Sequence, residues 1–208
     1  MSETNIDYTE RLKPLLIVIS GPSGVGKDSV IARLRERNLP LHFVITATTR
    51  PQRENEQHGR DYFFVSQAEY DEMLEKGELL EHATVYGQGY GIPKQQVREA
   101  LASGKDVILR VDVQGAATIR KICPEVLDIF LTTPNEQELV ERLIARDTET
   151  REAFELRMAT AKDEFKRMDE FDYFVINRKD HLNEAVDKIV AILQAEHQRV
   201  HPRKVTLK

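Results

Sequence analysis

The sequence predicts an α/β fold in which a parallel β-sheet carries helices on both faces. Two observations predict this fold. Short apolar runs alternate with stretches of helical periodicity, which is the pattern of strands joined by crossover helices. The runs are also nearly continuously apolar, as in strands that are covered on both sides. With 208 residues, of which 40% are hydrophobic and 31% charged, the chain is expected to form one globular domain.

The apolar runs predict five strands, at 15–20, 43–46, 107–111, 126–131 and 173–176. The periodic stretches predict six helices, at 27–37, 94–103, 115–121, 135–146, 152–168 and 183–199. The helix at 135–146 is expected to begin with Thr133 as its capping residue and Pro134 at its first helical position, because both residue types favour those places.

Residues 47–92 interrupt this alternation. They are rich in Arg, Gln, Glu, Gly and Tyr and contain one predicted helix, near 67–76. That helix opens on a capping box formed by Ser66 and Glu69. The interruption predicts a subdomain that is inserted between two elements of the core.

The predicted domain spans 14–200, with its core at 14–46 and 93–200. The segments outside it, 1–13 and 201–208, are polar or basic and are predicted to be flexible ends.

The charge and cysteine content exclude several functions. A net charge of −5 argues against a protein that coats nucleic acid, so any cations for an anionic ligand must be placed locally. No apolar run has the length of a membrane span or a signal peptide. The single cysteine, Cys123, cannot form an intramolecular disulfide. We therefore expect a cytoplasmic protein with no membrane partner. The chain is expected to be a monomer or a homodimer, and its sequence does not distinguish the two.

Residues 21–27, Gly-Pro-Ser-Gly-Val-Gly-Lys, directly follow the first strand and directly precede the first helix. This is the spacing of a phosphate-binding P-loop. Small residues let successive backbone N–H groups converge on an anion at the N-terminus of a helix, and Lys27 can reach the β- and γ-phosphates of a nucleoside triphosphate. The predicted sheet is therefore of the P-loop NTPase type. The donor-binding residues predicted from this segment are Gly21, Pro22, Ser23, Gly24, Val25, Gly26, Lys27, Asp28 and Ser29.

Asp28 differs from the usual P-loop pattern, which has Ser or Thr after the lysine to ligate Mg²⁺. A carboxylate can also ligate Mg²⁺, although it brings negative charge close to the phosphates. Asp28 is therefore the candidate metal ligand, and most of the contacts to Mg²⁺ are expected to come from phosphate and water.

A second group of motifs lies in and around the insert. It comprises Thr-Ala-Thr-Thr-Arg-Pro-Gln-Arg at 46–53, Gly-Arg-Asp-Tyr-Phe-Phe-Val-Ser at 59–66, Gly-Glu-Leu-Leu-Glu at 77–81 and Tyr90-Gly91. With these motifs and the P-loop, the chain resembles the guanylate kinases, which phosphorylate GMP with ATP. The resemblance runs from about Leu15 to His197, in order and with matching gaps. It implies in-line transfer of the γ-phosphoryl group of ATP to GMP or dGMP with Mg²⁺, an acceptor-binding insert at 47–92 and a helical lid at about 143–160.

The resemblance also implies residue roles. The phosphate of GMP would be held by Arg50, Arg53, Tyr62 and Tyr90. The remaining GMP-binding residues would be Thr46 and Glu81, which read the guanine, and Asp112, a carboxylate at the end of a core strand. The remaining ATP-site residues would be Arg142, which flanks the lid, and Asn177, beside the adenine. The catalytic residues would be Lys27, Arg50, Arg146 and Arg157, the last two as lid arginines that close over the transferring group.

Elementary chemistry agrees with these roles. Arg50 and Arg53, three residues apart in a polar loop, can bind a phosphate bidentately. Guanine presents two adjacent donors, N1–H and N2–H₂, to a carboxylate such as Glu81, and adenine presents no such pair. A wrong base would leave the buried carboxylate unpaired, at a cost of roughly 1–3 kcal/mol.

The sequence departs from the guanylate kinase pattern at three positions: Asp28, Arg110, where an acidic residue is common, and Ile92, where Ser or Thr is common. Asp28 opens the first helix and Arg110 ends a neighbouring strand, so the two are expected to approach each other. Either Asp28 takes over part of the metal binding, or Arg110 neutralises it.

Two alternatives remain open. The Gly-Lys-Asp-Ser spelling at 26–29 is also similar to that of kinases of ribose 1,5-bisphosphate, although Thr46 and Glu81 favour a purine acceptor. Guanylate-kinase-like modules also occur as protein-binding domains, in which the nucleotide loop has typically decayed. Here Lys27 and the arginines of both sites are intact, which favours an enzyme.

Overall fold

The computed structural model describes residues 13–85, 87–144 and 151–207. In chain order its elements are β1 (Leu16–Ser20), α1 (Lys27–Arg35), β2 (Leu41–Phe43), β3 (Ala47–Thr48), β4 (Phe63–Phe64), α2 (Gln67–Glu75), β5 (Leu79–Val85), β6 (Gln88–Pro93), α3 (Lys94–Ala102), β7 (Asp106–Arg110), α4 (Val113–Ile122), β8 (Leu127–Thr132), α5 (Glu136–Ile144), α6 (Arg151–Phe165), β9 (Tyr173–Ile176) and α7 (Leu182–His197). None of the helices in these ranges is long and apolar enough to cross a membrane.

The core is a five-stranded sheet in the order β2-β7-β1-β8-β9, and all of its strand pairs are parallel. Alternate residues of β1 point to opposite faces. Ile17 and Ile19 pack with side chains of α1, α5 and α7, whereas Leu16 and Val18 pack with side chains of α3 and α4. Because both faces are covered, every residue of β1 is buried. The predicted parallel sheet with helices on both faces is confirmed.

A second sheet, in the order β4-β3-β6-β5, fills the region of the insert and was not predicted. Two of its strands have only two residues each, and β6 carries glycines that lower the strand signal. These glycines are required by packing, because a Cβ at Gly89 would lie 2.6 Å from the ring of Tyr70 on α2. The Tyr70 hydroxyl donates to Tyr90 O at 2.9 Å and holds α2 on this sheet.

Helix α2 begins as predicted. Ser66 accepts a hydrogen bond from the Glu69 N–H, and the Glu69 carboxylate accepts one from the Ser66 N–H, so the capping box is confirmed.

The start of α5 was predicted wrongly. The helix begins at Glu136, and Asn135 rather than Thr133 caps it, since Asn135 Oδ1 accepts from the Glu138 N–H at 2.9 Å. Asparagine is as good a capping residue as threonine, and here it stands three residues before the N–H that it satisfies. The predicted strand at 43–46 is likewise displaced and occupies 41–43.

The segment after α7 is anchored, which differs from the predicted flexible end. Arg203 is 9% exposed; its Nε donates to Glu196 Oε2 at 2.7 Å and its Nη1 to Val126 O at 2.8 Å. Val205 and Leu207 pack against the hydrophobic cluster under α3 and α4. The sequence of this segment is basic and predicts a free end, but it does not show that Arg203 is held by Glu196 of α7 and by Val126, 77 positions earlier.

Candidate active site

The P-loop connects β1 to α1 and forms an anion-binding site. Gly21 has φ 134°, and a Cβ there would lie 2.1 Å from Leu131 O, so only glycine fits. Gly26 is the N-cap residue of α1 in the left-handed conformation, with φ 93°. Because Gly26 has no side chain, the first N–H groups of α1 donate no hydrogen bond to the capping residue's side chain. They are available to a phosphate, which the helix dipole also favours.

Lys27 is folded back onto this loop. Its Nζ donates to Gly21 O at 2.5 Å and to Pro22 O at 3.0 Å. Burial lowers the pKa of Lys27 to about 8, opposed mainly by the negative charge of Glu164 on α6. Burial raises the pKa of Glu164, opposed by the charge of Lys27 and by the Ser23 N–H. Glu164 was not predicted, because nothing in an acidic helix residue signals that it faces the P-loop.

A cleft of about 300 Å³ lies on one side of the P-loop and is the candidate donor site. Its lining residues are Gly24, Gly26, Ser29, Arg142, Asn177, Arg178, Lys179, Asp180 and Leu182. Arg142 Nη1 and Asn177 Nδ2 both donate to Val25 O, at 3.0 and 2.8 Å. Arg142 Nη2 also donates to Asn177 O at 2.7 Å. Both residues therefore hold the P-loop in place and border the cleft.

A second cleft, of about 380 Å³, lies on the other side and is the candidate acceptor site. Its lining brings together Thr46, Arg50, Arg53, Tyr62, Tyr90 and Asp28. The Arg50 guanidinium lies 5.3 Å from the ring centroid of Tyr62, which stands edge-on to the ring of Tyr90.

Glu56 already binds the two predicted phosphate arginines. Its oxygens accept from Arg50 Nη2 at 2.7 and 2.9 Å and from the Arg53 backbone N–H at 2.9 Å. The hydrogen bond from Arg50 holds the pKa of Glu56 below its usual range. The carboxylate thus occupies the guanidinium of Arg50, which the sequence predicts to bind phosphate.

The acceptor cleft contains two further arginines that were not predicted, Arg35 and Arg60. Arg35 could have been found, because it lies seven residues after Asp28 and therefore on the same face of α1. Arg60 lies in an irregular segment, where no periodicity shows its direction.

A small pocket of about 180 Å³ continues from the acceptor cleft. Glu81 and Asp112 line it together with Thr46, Tyr62, Tyr90 and Ile92. Glu81 is 8% exposed, and burial followed by repulsion from Asp112 raises its pKa to about 7. Asp112 Oδ1 also accepts from the Gly115 N–H at 2.7 Å and caps α4. Two carboxylates at the end of a narrow pocket suit a ligand with several N–H donors.

Asp28 and Arg110 form an ion pair between Asp28 Oδ1 and Arg110 Nη1, so their predicted approach is confirmed. Arg110 Nη2 also donates to the Tyr62 hydroxyl at 2.7 Å. The pair links the start of α1 to the acceptor cleft.

Of the two predicted lid arginines, the structure describes only Arg157. Arg146 lies outside the described residues, as do the other positions of the predicted lid from 145 to 150. Arg157 lies on α6, half-buried, and is not among the residues that line the three cavities above.

A parallel sheet, a P-loop and two clefts that meet at the start of α1 define a P-loop phosphotransferase. The chain belongs to the guanylate kinase family, because the family model described as Guanylate kinase matches residues 13–196. It is 51% identical over 196 residues to Guanylate kinase 2, chloroplastic/mitochondrial, of Oryza sativa subsp. japonica, covering 94% of this chain and 69% of that protein.

A bacterial relative and a solved structure support the same family membership. The chain is 47% identical over 188 residues to a guanylate kinase of Halalkalibacterium halodurans, covering 90% of this chain and 91% of the relative. The crystal structure of guanylate kinase from Anaplasma phagocytophilum matches it with a TM-score of 0.74 at 29% identity, covering 91% of this chain and 89% of that one.

Proposed function

We propose that this chain transfers the γ-phosphoryl group of ATP to GMP, giving ADP and GDP, with the roles assigned below. Its family makes it an ATP:GMP phosphotransferase. One observation supports the assignment of the two sites. Consecutive residues at the start of α1 line different clefts, Asp28 the acceptor cleft and Ser29 the donor cleft. Two nucleotides bound there would bring their phosphates together at the P-loop.

On the donor side, we assign the triphosphate to the P-loop amides and Lys27. The lysine would exchange the carbonyl oxygens of Gly21 and Pro22 for phosphate oxygens. These carbonyls hold Nζ beside the loop in advance, so little reorganisation is needed when ATP binds.

On the acceptor side, we assign the GMP phosphate to Arg50, Arg53, Tyr62 and Tyr90. The phosphate would displace the Glu56 carboxylate from Arg50. A phosphate monoester is largely a dianion at neutral pH, because its second pKa is near 6, so no general base is required. Catalysis then comes from in-line positioning and from neutralising the charge of two anions.

We assign the guanine to the small pocket. Glu81 would accept hydrogen bonds from N1–H and N2–H₂ when it is ionised, and Thr46 and Asp112 complete the lining. Ile92, where a hydroxyl residue is common in the family, offers only an apolar contact.

The site fits Mg²⁺. Asp28 supplies a carboxylate whose side chain is 67% exposed, and Oδ1 is the oxygen that pairs with Arg110. No cluster of three or more metal-ligating side chains occurs within the described ranges, so the protein offers no cage. Mg²⁺ usually keeps several waters and binds through one or two carboxylates and substrate phosphates. When bound, it would neutralise the charge of the β- and γ-phosphates, with Asp28 as its ligand from the protein.

We further propose that residues 143–160 form a lid and that Arg146 and Arg157 close over the transferring phosphoryl group. The acceptor insert would be 47–92, within a single domain at 14–200. Acceptance of dGMP, a place in purine nucleotide metabolism, a cytoplasmic location and a monomeric or homodimeric state are parts of the same proposal. The buried Cys123 thiol is compatible with a reducing compartment.

The test is a panel of acceptors, namely GMP, dGMP, AMP, CMP, UMP and ribose 1,5-bisphosphate, each with ATP and Mg²⁺. We expect kcat/KM to be highest for GMP and dGMP. Lys27→Ala should abolish turnover, whereas Lys76→Ala, at an exposed lysine of α2's C-terminus, should not change it. A preference for ribose 1,5-bisphosphate, or binding of GMP without ADP release, would reject the proposal in favour of a sugar-phosphate kinase or a binding module.

A further inference from the structure

Arg110 lies in the candidate active site, but none of the roles proposed above is assigned to it. It is the last residue of β7 and lies opposite Ile19 of β1 in the parallel register. Its backbone is therefore fixed next to the start of the P-loop. Among the charged residues in the described part of the chain, it alone lines both the acceptor cleft and the small pocket.

The contacts of Arg110 direct its guanidinium into the acceptor site. Nη1 pairs with Asp28, and Nη2 donates to the hydroxyl of Tyr62, a residue assigned to the acceptor phosphate. Its Cζ lies 5.5 Å from the ring centroid of Tyr62, and Cζ of Arg50 lies 5.3 Å from the same centroid. Two guanidinium groups therefore border the ring at which the phosphate would bind.

The ion pair with Asp28 is suited to exchange. The Asp28 side chain is 67% exposed and that of Arg110 is 30% exposed. An ion pair with so exposed a carboxylate is weak in water, because solvent screens it. A phosphate dianion carries more charge and matches the planar guanidinium bidentately. Arginine has five N–H donors, and the two hydrogen bonds above occupy two of them.

We propose that Arg110 is a catalytic residue that binds the phosphate of the acceptor, with Asp28 as its counter-ion until the acceptor arrives. The inference rests on the proposed function. It differs from the simpler possibility that Arg110 only neutralises Asp28. In that case, removing the Asp28 charge would make Arg110 dispensable.

The test measures binding of GMP and of guanosine, which lacks the phosphate, by calorimetry. Arg110→Gln should weaken GMP binding about 10- to 100-fold, the range for hydrogen bonds between charged groups, and leave guanosine binding unchanged. The double variant Asp28→Asn/Arg110→Gln should bind GMP no better than Arg110→Gln. Arg33→Gln is the matched control, since Arg33 is a surface arginine on α1 that pairs with Glu36.

Two results would overturn the inference. One is wild-type affinity for GMP in Arg110→Gln, and the other is recovery of that affinity in the double variant. If Arg110→Gln does not fold, Arg110→Met removes the charge and keeps most of the side-chain length; unchanged GMP affinity there would equally reject the inference. Failure of the wild-type protein to bind GMP would instead reject the proposed function.

Discussion

At the scale of single residues, burial sets the charge of the groups that would meet the substrates. Glu81 and Lys27 both lie in places that water reaches poorly, and in both cases desolvation is the largest cause of the pKa shift. Burial raises the pKa of the Glu81 carboxyl to about 7 and lowers the pKa of the Lys27 ammonium to about 8. Each group therefore changes its charge close to neutral pH, and ligand binding should report that change.

The raised pKa of Glu81 predicts that guanine binding depends on pH. Below about pH 7 the carboxyl is protonated and cannot accept from both guanine donors, so affinity should rise as pH increases from 6 to 8. The slope should approach about tenfold per pH unit at the acid end, as expected for one proton. Guanosine is the right ligand for this test, because it has no phosphate group whose own titration near pH 6 would add to the slope. Calorimetry at several pH values checks the slope.

Glu81→Gln should remove this slope. It should also reduce the preference for GMP over AMP by about 10- to 100-fold, because bound adenine leaves a buried carboxylate unpaired in the wild type and the variant has no carboxylate there. An unchanged slope, or an unchanged preference, would show that Glu81 does not read the base.

The lowered pKa of Lys27 predicts the opposite trend at the donor site, namely affinity that falls as pH rises. Its pKa of about 8 means that the charge is present at pH 7 and is lost as pH rises. Affinity for a non-hydrolysable ATP analogue should therefore fall between pH 7.5 and 9.5. Lys27→Met should bind the analogue about 10- to 100-fold more weakly at pH 7, with no such fall. If the variant kept the same pH profile, another group would be responsible.

At the scale of elements, the segment after α7 shows how a charged residue can fix a chain end. Arg203 and Glu196 are both buried, and Tyr173 on β9 also donates to Glu196 Oε1, at 2.7 Å. A buried pair of this kind contributes little by itself, but loss of one member leaves an uncompensated charge.

Arg203→Ala is expected to lower the free energy of unfolding by about 3 kcal/mol, because Glu196 would stay buried without its main partner. Arg199 is a matched control: it contacts the same carboxylate at 3.3 Å, but its side chain is 48% exposed. Arg199→Ala should cost less than about 1 kcal/mol. Urea denaturation measures both, and equal losses would mean that burial of the pair is unimportant.

The elements also differ in how well the sequence predicts them. The core strands are predictable, because burial on both faces demands apolar runs such as Leu16–Ser20. The second sheet is not, because β3 and β4 are too short for a pattern and Gly89 and Gly91 are present for packing against Tyr70 and Leu79. In the site, Lys27 and Arg50 follow from motifs, whereas Glu164 reaches the P-loop only through the packing of α6.

At the scale of the whole molecule, the two clefts adjoin at one helix start, where Asp28 lines one and Ser29 the other. The chain has a net charge of −5, but its cations are gathered locally, with Lys27 at the loop and arginines in the acceptor cleft, so we expect it to bind anions here. Carboxylates pair with these cations in the structure, as Glu56 does with Arg50 and Asp28 with Arg110.

The adjacency of the clefts predicts tight binding of a molecule that joins adenosine and guanosine through a chain of phosphates. Linking the two halves makes the second binding event intramolecular, so affinity should exceed that of GMP or ATP alone by about 100-fold or more. Competition against a fluorescent GMP analogue measures this. The diadenosine counterpart is the control, since its second base lacks the donors for Glu81. Equal affinity of the linked molecule and ATP would show that the sites do not adjoin.

The sequence by itself determined the parallel sheet, the P-loop and the membership of a phosphate-transferring family, because periodicity and local motifs encode features that neighbouring residues build together. Only the tertiary structure decided that Arg110 donates to the Tyr62 hydroxyl, that Glu164 faces Lys27 and that Arg203 is buried. The first two contacts join residues that are 48 and 137 positions apart, and the contact of Arg203 with Val126 spans 77 positions. Local pattern carries no information about which distant side chains will share a dehydrated site, and that sharing sets their charge and their role.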